Sequence, residues 1–308
     1  MKRLLSSTLT LMLSCGFATS VWAQTSIKLG YTGIADFAAG FVAKDKGFFA
    51  KHGLDVDFVQ IAINSNIPAA LLSDSVQVGG PTPTVFLQAV AGGLDLVAIA
   101  GTTVTSKSIK GVGVVAKTGE PIKSAHDFEG KVVGVPGIGA SLQVLFRQWM
   151  KEKGADASKV RFVEVSFPTM NDVLKAGTVD AVVTASPMMD QIIGTGTGYN
   201  VASFLSELPE GKPTMLYSTT REWAVSHPTE VVAFRTALAE AASYVESHQD
   251  ETRQIIGNYI KLPPAALQHV EIAPPAPVLA AAQIYWWIQV MQGQNMLETF
   301  PADKELVP

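Results

Sequence analysis

The sequence predicts an α/β fold in two lobes, followed by helices at the C-terminal end. Short β-rich runs alternate with helical patterns from residue 26 onward, which is typical of parallel sheets with helices on their faces. The chain has 308 residues, more than the size at which a single core usually stops growing. Two successive α/β series therefore fit this length better than one.

The first α/β series lies within residues 26–100. Gly53 provides a stop for the first helix, because glycine adopts the backbone conformation that ends helices. Residues 94–100 are apolar at nearly every position, as buried parallel strands are. The predicted strands are 26–31, 54–61, 76–79 and 94–100, and the predicted helices are 39–52, 66–72 and 81–91.

A second series begins at the strand 111–116. Ser124 and Asp127 have the spacing of a capping box, and Thr169 with Asp172 repeats it. Gly154 marks another helix stop. The later strands of this series are predicted at 131–135, 160–165 and 179–184, and its helices at 141–153, 169–176 and 186–193.

The pattern changes after residue 214. Residues 215–219 predict a strand that leads back, and Pro228, at a helix first turn, opens a long amphipathic helix to Ser247. We expect the remainder to be helical, with breaks at the proline pairs 263–264 and 274–275. Trp286 and Trp287 are adjacent and cannot share a helix face, so one is expected in the core and the other outward.

The N-terminus resembles a secretory leader. Lys2 and Arg3 precede an apolar stretch that ends in Val21-Trp22-Ala23, which predicts a signal peptide over residues 1–23, cut after Ala23. A membrane anchor and lipid attachment at Cys15 are the alternatives. Serine and threonine dilute the apolar run, and it continues past Cys15 to the better cleavage site.

Composition excludes several classes of chemistry. Cys15 is the only cysteine, so the mature chain is expected to form no disulfide, zinc-thiolate site or cysteine nucleophile. Loss of Lys2 and Arg3 takes the formal net charge from −4 to about −6. No basic cluster occurs, which argues against nucleic acid as a partner.

The motifs of common enzymes are incomplete. Residues 111–118 nearly fit a phosphate loop, but Ala116 replaces the second glycine and no helix pattern follows. The run from Gly137 to Leu142 lacks the third glycine of a dinucleotide fingerprint. No G-x-S-x-G occurs, and the five histidines lack metal-ligand spacing. We therefore expect a protein that is not an enzyme and that needs no cofactor or metal.

Four stretches, 41–58, 69–93, 127–141 and 174–185, resemble the periplasmic solute-binding proteins for nitrate, sulfonates and taurine and their thiamine-pyrimidine relatives. The resemblance implies the two-lobed, type II-like fold of periplasmic binding proteins, with two crossover strands at 111–116 and 215–219 and a solute in the cleft. Lobe 1 would comprise 25–111 plus 216–308, and lobe 2 would comprise 112–214. Many relatives carry a Trp-Glu-Pro-like segment where this chain has Ala185 to Met189, so the usual ligand cannot be assumed.

Two glycine-containing strand-to-helix turns, 79–84 and 135–141, are the candidate binding loops. Glycine lets backbone N–H groups approach a ligand, and a helix N-terminus favours an anion. Such turns lie beyond the carboxyl ends of strands, where α/β sheets bind ligands. Asp36 is unfavourable for an anion and could instead receive a cationic or hydroxyl group. The predicted ligand contacts are Thr32, Phe37, Gly80, Thr82, Thr102, Gly139, Ala140, Ser141 and Ser186.

The function expected from these features is solute capture for an ABC importer. The chain would be a periplasmic monomer that closes around a small organic anion, such as a sulfonate, taurine or nitrate, and delivers it to a permease in the inner membrane. A periplasmic ligand sensor, or a binder of a pyrimidine or an aromatic carboxylate, is the alternative.

Overall fold

Two five-stranded sheets form the framework of the protein. The computed structural model describes residues 24–262, 264–298, 300 and 306–307, so the predicted signal peptide lies outside the described residues. The first sheet has the order β2-β1-β3-β10-β4 and the second has the order β7-β6-β8-β5-β9. The strands are β1 Thr25–Tyr31, β2 Leu54–Gln60, β3 Val78–Gly79, β4 Leu96–Gly101, β5 Val112–Lys117, β6 Val132–Val135, β7 Arg161–Glu164, β8 Ala181–Ala185, β9 Gly198–Ala202 and β10 Leu216–Thr220.

Each sheet combines parallel strands with one strand that runs against its neighbours. In the first sheet, β1 pairs in parallel with β2 and β3, whereas β10 is antiparallel to β3 and β4. In the second sheet, β6 pairs in parallel with β7 and β8, whereas β5 is antiparallel to β8 and β9. The predicted two-lobed α/β fold is confirmed. We call the lobe that contains the first sheet the first lobe and the lobe that contains the second sheet the second lobe. The residue limits of the lobes stay a prediction.

Two chain segments connect the lobes. The chain passes to the second sheet through residues 102–111 and returns through residues 203–215, so the predicted crossover strands at 111–116 and 215–219 prove to be β5 and β10, paired inside the sheets. The connecting segments bond to each other: the N–H of Thr105 donates to the carbonyl of Lys212 at 2.8 Å, and the N–H of Thr214 donates to the carbonyl of Thr103 at 3.0 Å. A short two-stranded tether thus joins the lobes.

Helices cover the faces of both sheets. They are α1 Ala38–Asp45, α2 Phe48–Lys51, α3 Ile67–Leu72, α4 Pro83–Ala91, α5 Ser141–Glu152, α6 Met170–Ala176, α7 Met188–Gly194, α8 Arg221–Ser226, α9 Pro228–Ser247, α10 Gln249–Tyr259, α11 Pro264–Leu267 and α12 Ala281–Gln292. Of these, α1 packs against α9 and α10 on the first sheet. In the part of the chain that the structure describes, no helix has the length and apolarity needed to span a membrane.

Local sequence signals account for some of the helix boundaries. Thr82 caps α4, accepting the N–H of Val85, and the predicted capping box of Ser124 and Asp127 forms. The predicted cap at Thr169 does not form, because its hydroxyl donates to the carbonyl of Ser166 instead. The predicted single helix over 39–52 is also wrong. Gly47 has a φ of 74°, a left-handed conformation that separates α1 from α2.

The C-terminal part is less helical than expected. Residues 268–280 form an irregular segment that crosses the tether, where the N–H of Ala276 donates to the carbonyl of Thr102 at 2.8 Å. The tryptophan prediction is confirmed. Trp287 is fully buried and its indole donates to the carbonyl of Pro213, whereas Trp286 is partly exposed and lies beneath the Lys212 ammonium.

Candidate functional site

A cavity of about 80 Å³ lies between the two lobes. The first lobe contributes Thr32, Ile34, Ala35, Asp36, Asn64 and Thr82, and the second contributes Val112, Pro136, Ala140, Ser141, Leu142, Leu145, Phe167, Ala185, Ser186 and Leu205. The connecting segments and the C-terminal part add Ile109, Gly111, Thr214, Met215, Glu271, Ala273 and Trp287. The two predicted binding loops therefore share one crevice, at the carboxyl ends of the strands.

The first-lobe wall is organised by Asn64, a residue that sequence reasoning missed. Its amide nitrogen donates to the Thr32 hydroxyl at 3.1 Å and to the Gly80 carbonyl at 3.2 Å. Its amide oxygen accepts the N–H of Thr82 at 2.9 Å. Because Asn64 is 3% exposed, these bonds replace hydration that the amide has lost. One side chain thus ties three loops of the first lobe together.

Asp36 sits beside this network. The hydroxyls of Thr103 and Thr214 both donate to its Oδ2, the first at 2.8 Å. Burial raises the pKa of Asp36, and the two threonine hydroxyls offset only part of that effect. Asp36 is half-buried, and its carboxylate is held by threonine hydroxyls of the protein rather than standing free in solvent, one of the possibilities that its position in the sequence left open.

The second-lobe loop is already hydrogen-bonded to the protein. The N–H of Ile138 donates to the Glu164 carboxylate at 2.8 Å, and the N–H of Gly139 donates to the Gln143 amide oxygen at 2.6 Å. The N–H of Ala140 donates to the carbonyl of Gly137 at 3.1 Å. Side chains of this lobe thus occupy N–H groups that the sequence suggested for a ligand.

Two hydroxyls on the second-lobe wall have no partner. Ser141 is 4% exposed and Ser186 is 8% exposed, and neither Oγ forms a hydrogen bond. Both residues line the cavity. The N–H of Ser141 reaches the Thr82 hydroxyl across the cleft, but at 3.4 Å. A buried hydroxyl without a partner has lost its hydration uncompensated, so each of these atoms can gain energy from a ligand.

The sequence-predicted contacts divide into two groups. Thr32, Thr82, Ala140, Ser141 and Ser186 line the cavity, whereas Phe37, Gly80, Thr102 and Gly139 do not. Whether any of the nine binds a solute stays a prediction. The four that lie away from the cavity have structural contacts instead.

Close packing explains the position of these four residues. The Phe37 ring lies under Gly80, where an added Cβ would stand 2.3 Å from the ring. The Thr102 hydroxyl donates to the carbonyl of Met215 at 3.2 Å. Gly139 faces Gln88 of the other lobe, and an added Cβ would lie 2.5 Å from the Gln88 amide oxygen. This last contact explains why glycine suits the meeting point of the lobes.

Glu271 is the second important residue that the sequence did not reveal. It comes from the irregular segment 268–280, and its Oε2 accepts the N–H groups of Lys110 and Gly111 at 2.9 and 2.6 Å. The lining residues, all within the described ranges, include the carboxylates of Asp36 and Glu271 and no lysine, arginine or histidine. No cluster able to hold a metal occurs among the residues that the structure covers.

The sequence is similar to a known protein family and to individual known proteins. The family described as NMT1/THI5-like matches residues 34–252. The bicarbonate transport ATP-binding protein CmpC of Synechocystis is 27% identical over 253 residues, which is 76% of this chain and 37% of that protein. The chain thus spans less than two-fifths of the length of this relative.

Solved structures share the fold. The alkanesulfonate-binding protein SsuA of Xanthomonas axonopodis, bound to MOPS, has a TM-score of 0.76 at 17% identity and covers 92% of this chain and 98% of its own. The desulfurization enzyme DSZB has a TM-score of 0.62 at 14% identity, over 91% of this chain and 95% of its own. Because the second of these is an enzyme, the fold alone does not separate binding from catalysis.

Proposed function

The chain belongs to the NMT1/THI5-like family, and we propose that it is the solute-binding component of an ABC importer, which closes two lobes around a small organic solute. The observation that carries the proposal is the cavity between the lobes, walled by both sheets and joined by a two-stranded tether. Solute capture by lobe closure needs two lobes and a narrow connection, and the two sheets and the tether between them supply such an arrangement.

Capture rather than catalysis suits the lining of the cavity. Ser141 and Ser186 are the side chains there whose hydroxyls lack partners, so neither is hydrogen-bonded to a base, the lining carboxylates of Asp36 and Glu271 included. An activated serine needs such a base within hydrogen-bonding reach. The unpaired hydroxyls thus support binding of a ligand.

The finer assignment is a small organic anion, as the two candidate loops suggested. Its support is the N-terminus of α5, where Ala140, Ser141 and Leu142 line the cavity and the Ser141 hydroxyl is available. The proposed contacts are Thr32, Thr82, Ala140, Ser141 and Ser186. A pyrimidine or an aromatic carboxylate is the second candidate, favoured by the apolar side chains of Ile34, Leu145, Phe167 and Trp287 in the lining.

The predicted leader and the names of the relatives support the proposed partners and compartment. We assign the chain to the periplasm, exported by the leader at residues 1–23, where it delivers the solute to an inner-membrane permease as a monomer. A sensor role would use the same lobes to present the solute to a receptor. A permease gene and an ATPase gene beside this one would favour transport.

A thermal-shift screen tests the proposal. Purified mature protein is melted with alkyl sulfonates, taurine, nitrate, aromatic carboxylates and pyrimidines. A solute at a hundredfold excess over its Kd stabilises the native state by about 2.7 kcal/mol, so the Tm should rise by several degrees.

A blocking variant ties the response to the cavity. Ala140→Leu adds bulk where Ala140 lines the space, and it should abolish the Tm shift. Ala50→Leu, on the exposed surface of α2, is the matched control and should keep it. Solute binding that survives Ala140→Leu unchanged would refute the interlobe site.

A further inference from the structure

The lining of the cavity contains two carboxylates. Asp36 comes from the loop after β1, and Glu271 comes from the irregular C-terminal segment, yet both line the same space. No cation among the described residues forms an ion pair with either carboxylate, because the ion pairs of lysine, arginine and histidine there involve other acids. Two half-buried carboxylates that share a cavity without a counter-charge are energetically costly.

Each carboxylate keeps acceptor capacity for a ligand. An ionised carboxylate offers about four lone-pair positions. Oδ2 of Asp36 receives the two threonine hydroxyls, and Oε2 of Glu271 receives two backbone N–H groups. In both residues the protein's donors converge on one oxygen. These bonds fix the carboxylates in place without saturating them, as a preorganised receptor requires.

Two hydroxyls in the lining point independently to a ligand. The hydroxyls of Ser141 and Ser186 are more than nine-tenths buried, line the cavity and lack partners. A hydroxyl can both donate and accept, so it suits the polar end of a solute of either sign. The carboxylates, by contrast, can only accept while ionised. The carboxylates therefore require a hydrogen-bond donor at the end of the solute that they bind.

Building on the proposed function, we infer that the solute carries a hydrogen-donating nitrogen, an ammonium or an amino group, that binds at the carboxylates lining the cavity, Asp36 and Glu271. Its remaining polar group meets the serine hydroxyls, and its carbon skeleton packs against Ile34, Leu145 and Phe167. A nitrogen donor to a carboxylate makes a charge-assisted hydrogen bond, about twice as strong as a neutral one. Plain oxyanions such as nitrate would instead face two like charges.

The raised pKa of Asp36 agrees with this assignment, because burial without a counter-charge disfavours its ionised form. A ligand ammonium would supply that counter-charge. Discrimination should be strong, since a site built around a ligand N–H leaves its own acceptors unpaired when the N–H is missing.

Matched solutes test the inference by isothermal titration of the mature protein. The pairs are aminoethanesulfonate and ethanesulfonate, para-aminobenzoate and benzoate, and aminopyrimidine and pyrimidine. At least one amino compound should bind, and at least tenfold more tightly than its partner. Asp36→Asn and Glu271→Gln should each cut that preference to less than threefold, with the fold checked by circular dichroism.

Two control variants remove carboxyl charge outside the cavity. Asp190→Asn in α7 and Glu246→Gln in α9 are exposed and should leave the preference unchanged. If either weakens it as much as the cavity variants do, general electrostatics rather than direct contact is responsible and the inference fails. Retention of the preference in both Asp36→Asn and Glu271→Gln also overturns it.

The remaining outcomes separate this inference from the proposed function. If solutes without nitrogen donors bind as tightly as their amino partners, or if no amino compound binds, the inference is wrong. In that case binding of any solute that Ala140→Leu blocks still supports the interlobe site. Anion binding that EDTA abolishes would show that a metal ion, and not the solute, neutralises the carboxylates, which also overturns the inference.

Discussion

Each polar side chain of the first-lobe wall forms at least one hydrogen bond within the protein, whereas the second-lobe wall leaves two hydroxyls without partners. In the first lobe, Asn64 makes three bonds and Asp36 accepts two. In the second, Ser141 and Ser186 have none through their hydroxyls. The two halves of one cavity thus differ in how complete they are without a solute.

This difference suggests that the two walls act at different steps of solute binding. A fully bonded wall is rigid and pays little ordering cost on binding, so it suits the initial docking of a solute. A wall with unpaired groups gains most when the cleft closes on the solute, because only then do its hydroxyls find partners. Differential contacts of this kind are what shifts a lobe equilibrium toward the closed state.

The largest effect, a loss of stability, should come from a substitution in the first-lobe wall. Asn64→Ala removes three hydrogen bonds and leaves the Gly80 carbonyl and the Thr82 N–H buried without partners. We expect a loss of about 3 kcal/mol in the free energy of unfolding, measured by urea denaturation. Asn66→Ala, at the exposed neighbouring asparagine, should cost far less. Equal losses would show that Asn64 does not organise this wall.

A smaller and opposite effect is expected on the second-lobe wall. Ser141→Ala removes a hydroxyl that contributes nothing without solute, so the stability of the free protein should stay the same or rise by up to about 1 kcal/mol. Solute affinity should fall about tenfold, which corresponds to about 1.4 kcal/mol. Denaturation without solute and titration with it measure the two quantities.

Thr184→Val is the matched control for this variant. The Thr184 hydroxyl is also buried and unpaired, but Thr184 does not line the cavity. Its removal should leave affinity unchanged. If Ser141→Ala lowers stability and leaves affinity intact, the contrast between the walls has been misinterpreted.

The fold was predictable because its signals are local. Strand and helix periods gave the two α/β series, and the predicted capping box at Ser124 acts between residues three apart. The break at Gly47 escaped prediction because the apolar pattern runs straight through it. Its left-handed φ is a backbone property that periodicity does not record.

The site was only partly predictable because its key contacts join distant residues. The turn glycines and Ser141 can be recognised in the sequence because they lie at a strand-to-helix junction. Asn64 and Glu271 do not, since their partners lie up to 32 and 161 positions away in the chain. The segment that carries Glu271 is fixed by bonds to the tether rather than by its own sequence pattern. Such tertiary placement leaves no local signature.

The smallest effect, a change in solute affinity, should come from the contact between Ser65 and Glu164, which joins the two walls at their edge. The Glu164 carboxylate of the second lobe accepts the Ser65 hydroxyl of the first at 3.1 Å and the N–H of Ile138 from its own loop. Glu164 is exposed, so solvent weakens its bond to Ser65. Glu164→Ala should therefore lower solute affinity only about threefold. Glu246→Ala is the exposed control. The loss should appear as faster solute dissociation in stopped-flow measurements, because the contact exists only while the lobes are closed. An equal slowing of association would place the Ser65 contact in the docking step instead and would remove the distinction between a docking wall and a closing wall.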